Sequence, residues 1–169
     1  MRYLYKKTFE RNVQNPFENE FIRSCRVEVL KPSFLHLTIG TETVNFSLLL
    51  SRLYFWFISS GKYRIFYLMD GDNLVHSSYV VPKCYKFPFL EKGDYEIGPC
   101  ITSGDYRRRG VYSYMLQLIA TNPDFENADF YMIVRSDNIP SIKGIEKAGF
   151  QRCGTVKKTR VLRKFRLER

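Results

Sequence analysis

A basic, glycine-containing segment at residues 106–112 carries the clearest chemical signal in the sequence. It reads Tyr-Arg-Arg-Arg-Gly-Val-Tyr and lies between a predicted strand at 95–102 and a predicted helix at 110–121. A helix N-terminus presents unpaired N–H groups and a partial positive charge, and a glycine lets the backbone approach an anion closely. With three arginines beside it, this helix start predicts a phosphate or pyrophosphate site, although the same residues also suit a solvated basic loop.

Two common phosphate-binding patterns are absent from the sequence. It contains no G-x-x-x-x-G-K-[ST], and the glycine of the basic segment is not part of a G-x-G-x-x-G. The first pattern cradles nucleotide phosphates in a P-loop, and the second opens a dinucleotide-binding unit. Both classes of phosphate chemistry are therefore disfavoured.

A second segment, at 138–150, has the marks of a helix with a defined start and end. Asn138 can cap it, Pro140 lies in the first turn where a missing N–H does no harm, and Gly149 ends it. The segment begins about 28 residues after Gly110, which leaves room for one helix and one strand between the two motifs.

Together the two segments resemble the signatures of the GNAT superfamily of acetyl-CoA-dependent N-acetyltransferases. Residues 107–112 look like [Q/R]-x-x-G-x-[G/A], and 138–150 resemble a signature that runs from an asparagine to a Glu-Lys-x-Gly-Phe ending. The match covers roughly 95–156. The resemblance implies an α/β (α+β mixed) fold: one domain with a central, mixed, mostly antiparallel twisted sheet of about six to seven strands. Helices are expected on both faces, with one parallel strand–helix–strand unit.

The resemblance also implies acetyl-CoA as cosubstrate, with no metal. In the family, the strand before the first motif bulges away from the next parallel strand, the pantetheine arm lies in that gap, and main-chain amides hold the pyrophosphate. By position, the cofactor-binding residues would be Cys100, Ile101, Thr102, Arg107, Arg108, Arg109, Gly110, Val111, Tyr112, Ser113, Asn138, Ser141 and Lys147. Plain helix capping for Asn138 and a surface position for Lys147 remain open.

Glu96 is the candidate general base, because several family members carry a glutamate early on this strand. An ammonium has no lone pair, so the acceptor must lose a proton before it attacks the thioester, and a carboxylate can take that proton. Many members supply the acid from a helix tyrosine seven residues after the asparagine, which here is Ile145. Tyr112 is then the candidate acid, with Tyr114, Tyr131 and unaided departure of the thiolate as alternatives. An exposed strand position or an ion pair with one of the many arginines remains open for Glu96, and Asp94 and Glu91 are looser candidates for the base.

The four cysteines, Cys25, Cys84, Cys100 and Cys153, form no C-x-x-C pair, and the sequence has only two histidines. A zinc site is therefore not expected. A covalent acyl-enzyme at Cys100 would need an activating histidine, and none is near it in sequence, so a buried structural cysteine is expected. His76 is predicted on a hairpin strand, where it suits either an acceptor site or a core position.

Hydrophobic periodicity and turn residues predict the order of elements. Residues 1–169 are expected to form one domain, with 1–20 as a lead-in and 93–156 as the acetyl-CoA-binding core. Strands are expected at 21–30, 36–39, 63–69, 74–81, 95–102, 130–134, 150–156 and 159–167, and helices at 46–59, 110–121 and 138–148.

The composition limits the classes of partner but does not identify one. The formal net charge of +10 favours an anionic partner, and a basic nucleic-acid-binding module is one alternative function. The basic residues at 157–169 alternate with apolar ones, as an edge strand would, so nucleic acid is not the expected partner. The apolar stretch at 46–58 is too short for a transmembrane segment. No secretory signal is evident, which favours the cytoplasm.

The expected function is transfer of the acetyl group of acetyl-CoA to a primary amine of a small molecule or sugar, with a protein amine as the next choice. Because the helix tyrosine is missing, a non-catalytic acyl-CoA-binding protein stays open as an alternative. The aromatic helix at 48–58 suggests either an apolar part of the acceptor or a homodimer contact.

Overall fold

The computed structural model describes residues 1–11, 13–33, 38, 46–160 and 163–168. These residues form eight strands, four α-helices and two short 3-10 turns, at Gly104–Tyr106 and Pro123–Phe125. The strands are β1 (Arg2–Thr8), β2 (Arg26–Leu30), β3 (Arg64–Asp70), β4 (Asn73–Pro82), β5 (Tyr95–Thr102), β6 (Asp129–Arg135), β7 (Gln151–Lys158) and β8 (Phe165–Leu167). The helices are α1 (Glu20–Ser24), α2 (Phe46–Ile58), α3 (Val111–Ala120) and α4 (Ile139–Lys147).

All eight strands join one sheet in the order β2-β3-β4-β5-β6-β1-β7-β8. The β5–β6 pair is parallel, with α3 between the two strands in sequence, and the other neighbours are antiparallel. This confirms the mixed, mostly antiparallel sheet and its parallel strand–helix–strand unit. The expected count of six to seven strands was too low.

The additional strand is β1, in the segment that the sequence had suggested to be a lead-in. It lies in the interior of the sheet and pairs with both β6 and β7. Leu4 and Tyr5 are buried. Lys7 is also buried, and it donates hydrogen bonds to Gln117 Oε1 at 2.6 Å and to the carbonyl of Ala148 at 2.9 Å. The strand was missed because its buried lysine finds its hydrogen-bonding partners, Gln117 and Ala148, more than a hundred positions away.

Two other expectations differ from the structure near the ends of the chain. The strand expected at 21–30 is split, because Asn19 Oδ1 accepts a hydrogen bond from Ile22 N at 3.0 Å and so caps α1 before β2 begins. The strand expected at 159–167 is realised at Phe165–Leu167. The strand expected at 36–39 falls at positions that lie, apart from Thr38, outside the described residues.

Two apolar layers cover the two faces of the sheet. Helices α3 and α4 bury Met115 and Ile145 against one face, where Phe66, Leu68 and Ile97 lie. On the other face, Phe55 of α2 packs in a separate cluster with residues that include Tyr63, Tyr67, Val81 and Phe87. Helices on both faces were expected and are confirmed. None of the helices in the described part of the chain combines the length and apolarity needed to cross a membrane.

Candidate active site

Strands β5 and β6 are paired only where β5 begins. Tyr95 lies opposite Phe130 and Glu96 opposite Tyr131, and no further pair follows. Beyond these positions β5 continues to Thr102 along β4, while β6 continues along β1. The two parallel strands therefore part, and the main-chain groups of β5 on the β6 side are left for another partner.

A bulge in β5 lies at the point where the strands part. Gly98 and Pro99 stand opposite the single residue Tyr79 of β4. An added residue reverses the alternation of side chains, so Glu96 faces the α2 layer whereas Cys100 faces the α3 layer. A Cβ atom on Gly98 would lie 2.9 Å from Glu96 Oε1, and φ there is +155°, so this position requires glycine.

Two cavities meet at this gap. One, of about 760 Å³, lies along the start of α3 and the end of β5. The other, of about 430 Å³, extends between β5 and β6 toward the α2 layer. The residues that line both are Cys100, Tyr112, Asn138 and Ser141. The shared walls indicate one continuous cleft that connects the two faces of the sheet.

The first cavity has the features of an anion site. Gly110 is the N-cap of α3 with φ of 80°, and no side chain caps the helix. The N–H groups of the first turn are therefore open to an anion. Arg107 and Arg108 line the same cavity, and Arg107 Nε donates to the carbonyl of Thr102 at 3.3 Å. Ile101, Val111 and Ser113, also predicted here, lie in its wall.

Two predicted side chains do not line either cavity. The Arg109 guanidinium lies 4.9 Å from the ring centre of Phe21 and 5.6 Å from that of Tyr106. Lys147 Nζ lies 5.4 Å from the ring centre of Phe17. The structure does not bring these two side chains together with the other predicted cofactor-binding residues. Their contact with a cofactor stays a prediction.

Asn138 has the expected capping role, since its Oδ1 accepts a hydrogen bond from Ser141 N at 3.3 Å. Both residues also line both cavities. Capping and ligand contact are therefore compatible for Asn138, and capping is the role that the hydrogen bond shows.

Glu96 is a buried carboxyl group that faces the second cavity. Its side chain is 6% exposed, and Oε2 accepts no hydrogen bond. Burial raises the pKa of Glu96 to about 8, and the positive charge of Lys86 opposes that rise. The exposed strand position left open by the sequence is therefore wrong. Asp94, by contrast, accepts hydrogen bonds from the main chain of Glu91 and Asp129, which gives it a structural role.

Tyr112 lies at the junction of the two cavities. Its ring packs so closely on α4 that a Cβ atom on Gly144 would lie 2.5 Å from Tyr112 Cδ1. Burial raises the pKa of Tyr112 well above its usual value, so the phenol stays protonated. Ile145 lines the second cavity, whereas the alternative acids Tyr114 and Tyr131 line neither cavity.

A chain of hydrogen bonds links Cys100 to a histidine that sequence reasoning did not connect with it. Ser78 Oγ donates to Cys100 Sγ at 3.2 Å and lies 2.7 Å from His76 Nε2, while His76 Nδ1 lies 2.7 Å from Thr102 Oγ1. Burial lowers the pKa of His76 to about 3 and raises the pKa of Cys100 to about 12. A neutral imidazole and a protonated thiol do not make a nucleophile, so this chain suits a structural role.

At the far end of the second cavity, only the aromatic helix had been suggested from the sequence, either as an apolar part of the acceptor site or as a homodimer contact. This end of the cavity is walled by Lys86, Phe87, Phe165 and, from the aromatic helix, Phe55. The loop at 83–94 gave no pattern from which Lys86 could have been chosen. Among the described residues, no group of three or more His, Cys, Asp or Glu side chains is placed to hold a metal ion.

Comparison with known proteins gives a likeness of fold. No protein-family model matches the sequence, and no curated protein matches it. Among solved structures, the fold is similar to an acetyltransferase from the GNAT family from Colwellia psychrerythraea, with a TM-score of 0.57 and 16% sequence identity. The alignment covers 90% of this chain and 52% of that chain, so the present chain spans about half the length of that protein. The GNAT-like fold expected from the two motifs is thus supported by structure.

Proposed function

We propose that this protein transfers the acetyl group of acetyl-CoA to a primary amine of a small molecule or sugar by direct attack. The observation that carries the proposal is the cleft through the sheet. It joins a helix N-terminus with no side-chain cap to a buried carboxyl group whose Oε2 atom has no partner. The helix N-terminus suits a pyrophosphate, and the carboxyl group suits a general base. The cleft between them suits a thioester arm that extends from one to the other.

The residues around the larger cavity fit acetyl-CoA. Main-chain N–H groups at the start of α3, with Arg107 and Arg108 beside them, would hold the pyrophosphate. The β5 edge that β6 leaves unpaired would bind the pantetheine arm. Main-chain N–H groups near Ile101 on that edge would also stabilise negative charge on the carbonyl oxygen during attack.

The chain's own residues then move the protons. Acetyl-CoA supplies the thioester carbon that the amine attacks. Glu96, with a pKa of about 8, takes a proton from the ammonium of the acceptor, directly or through a water molecule. Tyr112, which stays protonated and lines both cavities, is the candidate donor to the departing sulfur.

Thermal unfolding with acetyl-CoA, and with ATP and NAD as controls, tests the cofactor site. A ligand at a hundred times its dissociation constant adds about 2.7 kcal/mol, which raises the melting temperature of a chain of this size by roughly 5–11 °C. Combined Arg107→Ala and Arg108→Ala substitutions should reduce the rise. Arg109→Ala is the matched control and should keep it, because that side chain packs on Phe21. No rise in melting temperature with saturating acetyl-CoA would refute the proposal and leave salt-dependent nucleic-acid binding as the alternative to test.

Glu96→Gln separates an enzyme from a non-catalytic acyl-CoA-binding protein, the alternative that Ile145 in the cavity wall favours. If Glu96 is the base, the variant keeps the melting rise with acetyl-CoA and loses turnover by about 10²–10⁴-fold. Unchanged turnover would show that Glu96 is not the base. An acetyl-CoA-dependent rise with no turnover on any amine, even in the wild type, would establish the binding protein instead.

A further inference from the structure

The acceptor end of the second cavity presents a half-buried cation, Lys86, as well as the buried carboxyl group of Glu96. Lys86 Nζ lies 4.8 Å from the ring centre of Phe55 and 5.2 Å from that of Phe87. Among the described residues, no carboxylate forms an ion pair with it and no acceptor takes a hydrogen bond from it. Burial lowers the pKa of Lys86, as expected when an ammonium ion lacks a hydrogen-bonding partner.

The loop that carries Lys86 is held in place by the far edge of the sheet. The N–H of Phe165 in β8 donates to the carbonyl of Lys86 at 2.9 Å. The rings of Phe165 and Phe87 stack with their centres 5.7 Å apart. The side chain of Lys86 therefore projects into the cavity from a main chain that has little freedom to withdraw it.

The charges around this cavity are unequal. Among the described residues that line it are three cationic side chains, Arg2, Lys86 and Arg135, and a single carboxyl group, that of Glu96. Glu96 and Lys86 influence each other's pKa, yet they form no direct ion pair. Glu96 Oε2 is buried without a hydrogen-bonding partner, and Lys86 lines the same cavity.

We infer that the acceptor is an amine that also bears a carboxylate, with its ammonium at Glu96, its carboxylate at Lys86 and its apolar part against Phe55 and Phe87. This inference rests on the proposed function. A ligand with both charges would pair with the buried carboxyl group and the half-buried ammonium at once, whereas a simple amine would pair with Glu96 alone. Sites of this kind discriminate strongly against analogues that lack the recognised polar group.

Matched acceptor pairs test the inference. One series contains glycine, β-alanine, 4-aminobutyrate, 6-aminohexanoate and phenylalanine, and the other contains the corresponding amines without the carboxylate. Release of the CoA thiol and mass spectrometry of the product give kcat/KM for each compound. For at least one pair, the wild type should prefer the carboxylated member by about 10- to 100-fold.

Lys86→Met should abolish the preference for the carboxylated member of each pair, whereas Lys86→Arg should retain it. Lys83→Met, at an exposed lysine of the same loop, is the control and should behave as the wild type does. Equal or better use of the simple amines, no acetylation of any carboxylated amine, or a preference that survives Lys86→Met would overturn the inference. The increase in melting temperature with acetyl-CoA is measured on the same samples. Loss of cofactor binding is thereby distinguished from loss of the acceptor preference.

Discussion

The buried carboxyl group of Glu96 should make the stability of this protein fall as the pH rises. The pKa of Glu96 is raised from 4.5 to about 8, so between these values the folded state holds a proton that the unfolded state has released. Stability falls with pH wherever the folded state binds more protons. At about 1.4 kcal/mol per pKa unit, the shift corresponds to a loss of about 5 kcal/mol across this window. Glu96→Gln removes the titration, so its stability relative to the wild type should grow by up to that amount.

Urea unfolding of both proteins at about pH 5 and about pH 8.5 measures the effect. The slope of unfolding free energy against urea concentration is compared between samples as a check on two-state behaviour. Asp137→Asn is the control, because Arg135 holds the pKa of that exposed carboxyl group below its usual range. The control should therefore differ from the wild type by the same amount at both pH values. A constant difference between Glu96→Gln and the wild type would refute the assignment of Glu96 as a buried, poorly solvated base.

Three further variants probe the packing around the cleft. Gly144→Ala should lower kcat by at least about tenfold, because the new Cβ would displace the Tyr112 ring that lies 2.5 Å from it. Lys7→Met should lower the free energy of unfolding by about 1–3 kcal/mol in urea titrations, since it leaves the buried amide oxygen of Gln117 without its donor. Cys100→Ala should keep turnover within about tenfold, and intact-protein mass spectrometry of the wild type should show no acetyl adduct, because a thiol with a pKa of about 12 is not a nucleophile.

Each of these variants has an outcome that contradicts its reasoning. Gly154→Ala is the control for Gly144→Ala, since a Cβ there would meet no atom within 4 Å. Equal kcat in the two alanine variants would show that the position of Tyr112 does not matter to the reaction. Wild-type stability of Lys7→Met would show that Lys7 contributes nothing net to the fold. Loss of turnover in a folded Cys100→Ala variant, with an acetyl adduct on the wild type, would reinstate a covalent route.

The part of the fold that the sequence predicted well is the part governed by local rules. The hairpin of β3 and β4 surrounds a turn of four polar or glycine residues, and α4 begins at its capping asparagine. These signals act over a few residues and do not depend on distant partners. β1 shows the opposite case. Its Lys7 is buried because Gln117 and Ala148 enclose it, and a single sequence gives no indication that these residues meet.

The same distinction applies to the candidate site. The proposed anion-binding half is encoded in one continuous motif, so Gly110 and Arg107 could be chosen from the sequence. The proposed acceptor half is assembled from separate elements: Lys86 comes from a loop, Phe55 from α2 and Phe165 from β8. Similarly, His76 and Cys100 are joined only through Ser78, because β4 and β5 pair in a particular register. Sequence spacing alone does not determine such neighbours.

The bulge in β5 explains how one strand serves both halves of the cleft. In a regular strand, side chains alternate between faces, so Glu96 and Cys100 would point to the same side of the sheet. The residues Gly98 and Pro99 oppose a single residue of β4, which reverses the alternation between them. Glu96 consequently reaches the α2 layer, where Lys86 and the phenylalanines lie, while Cys100 borders the cavity at the start of α3. The bulge lies where β5 and β6 cease to pair. The side chains of β5 therefore switch from one face of the sheet to the other at the point where the two strands separate. On the proposed function, a cosubstrate bound on the α3 side would meet an acceptor bound on the α2 side at this opening.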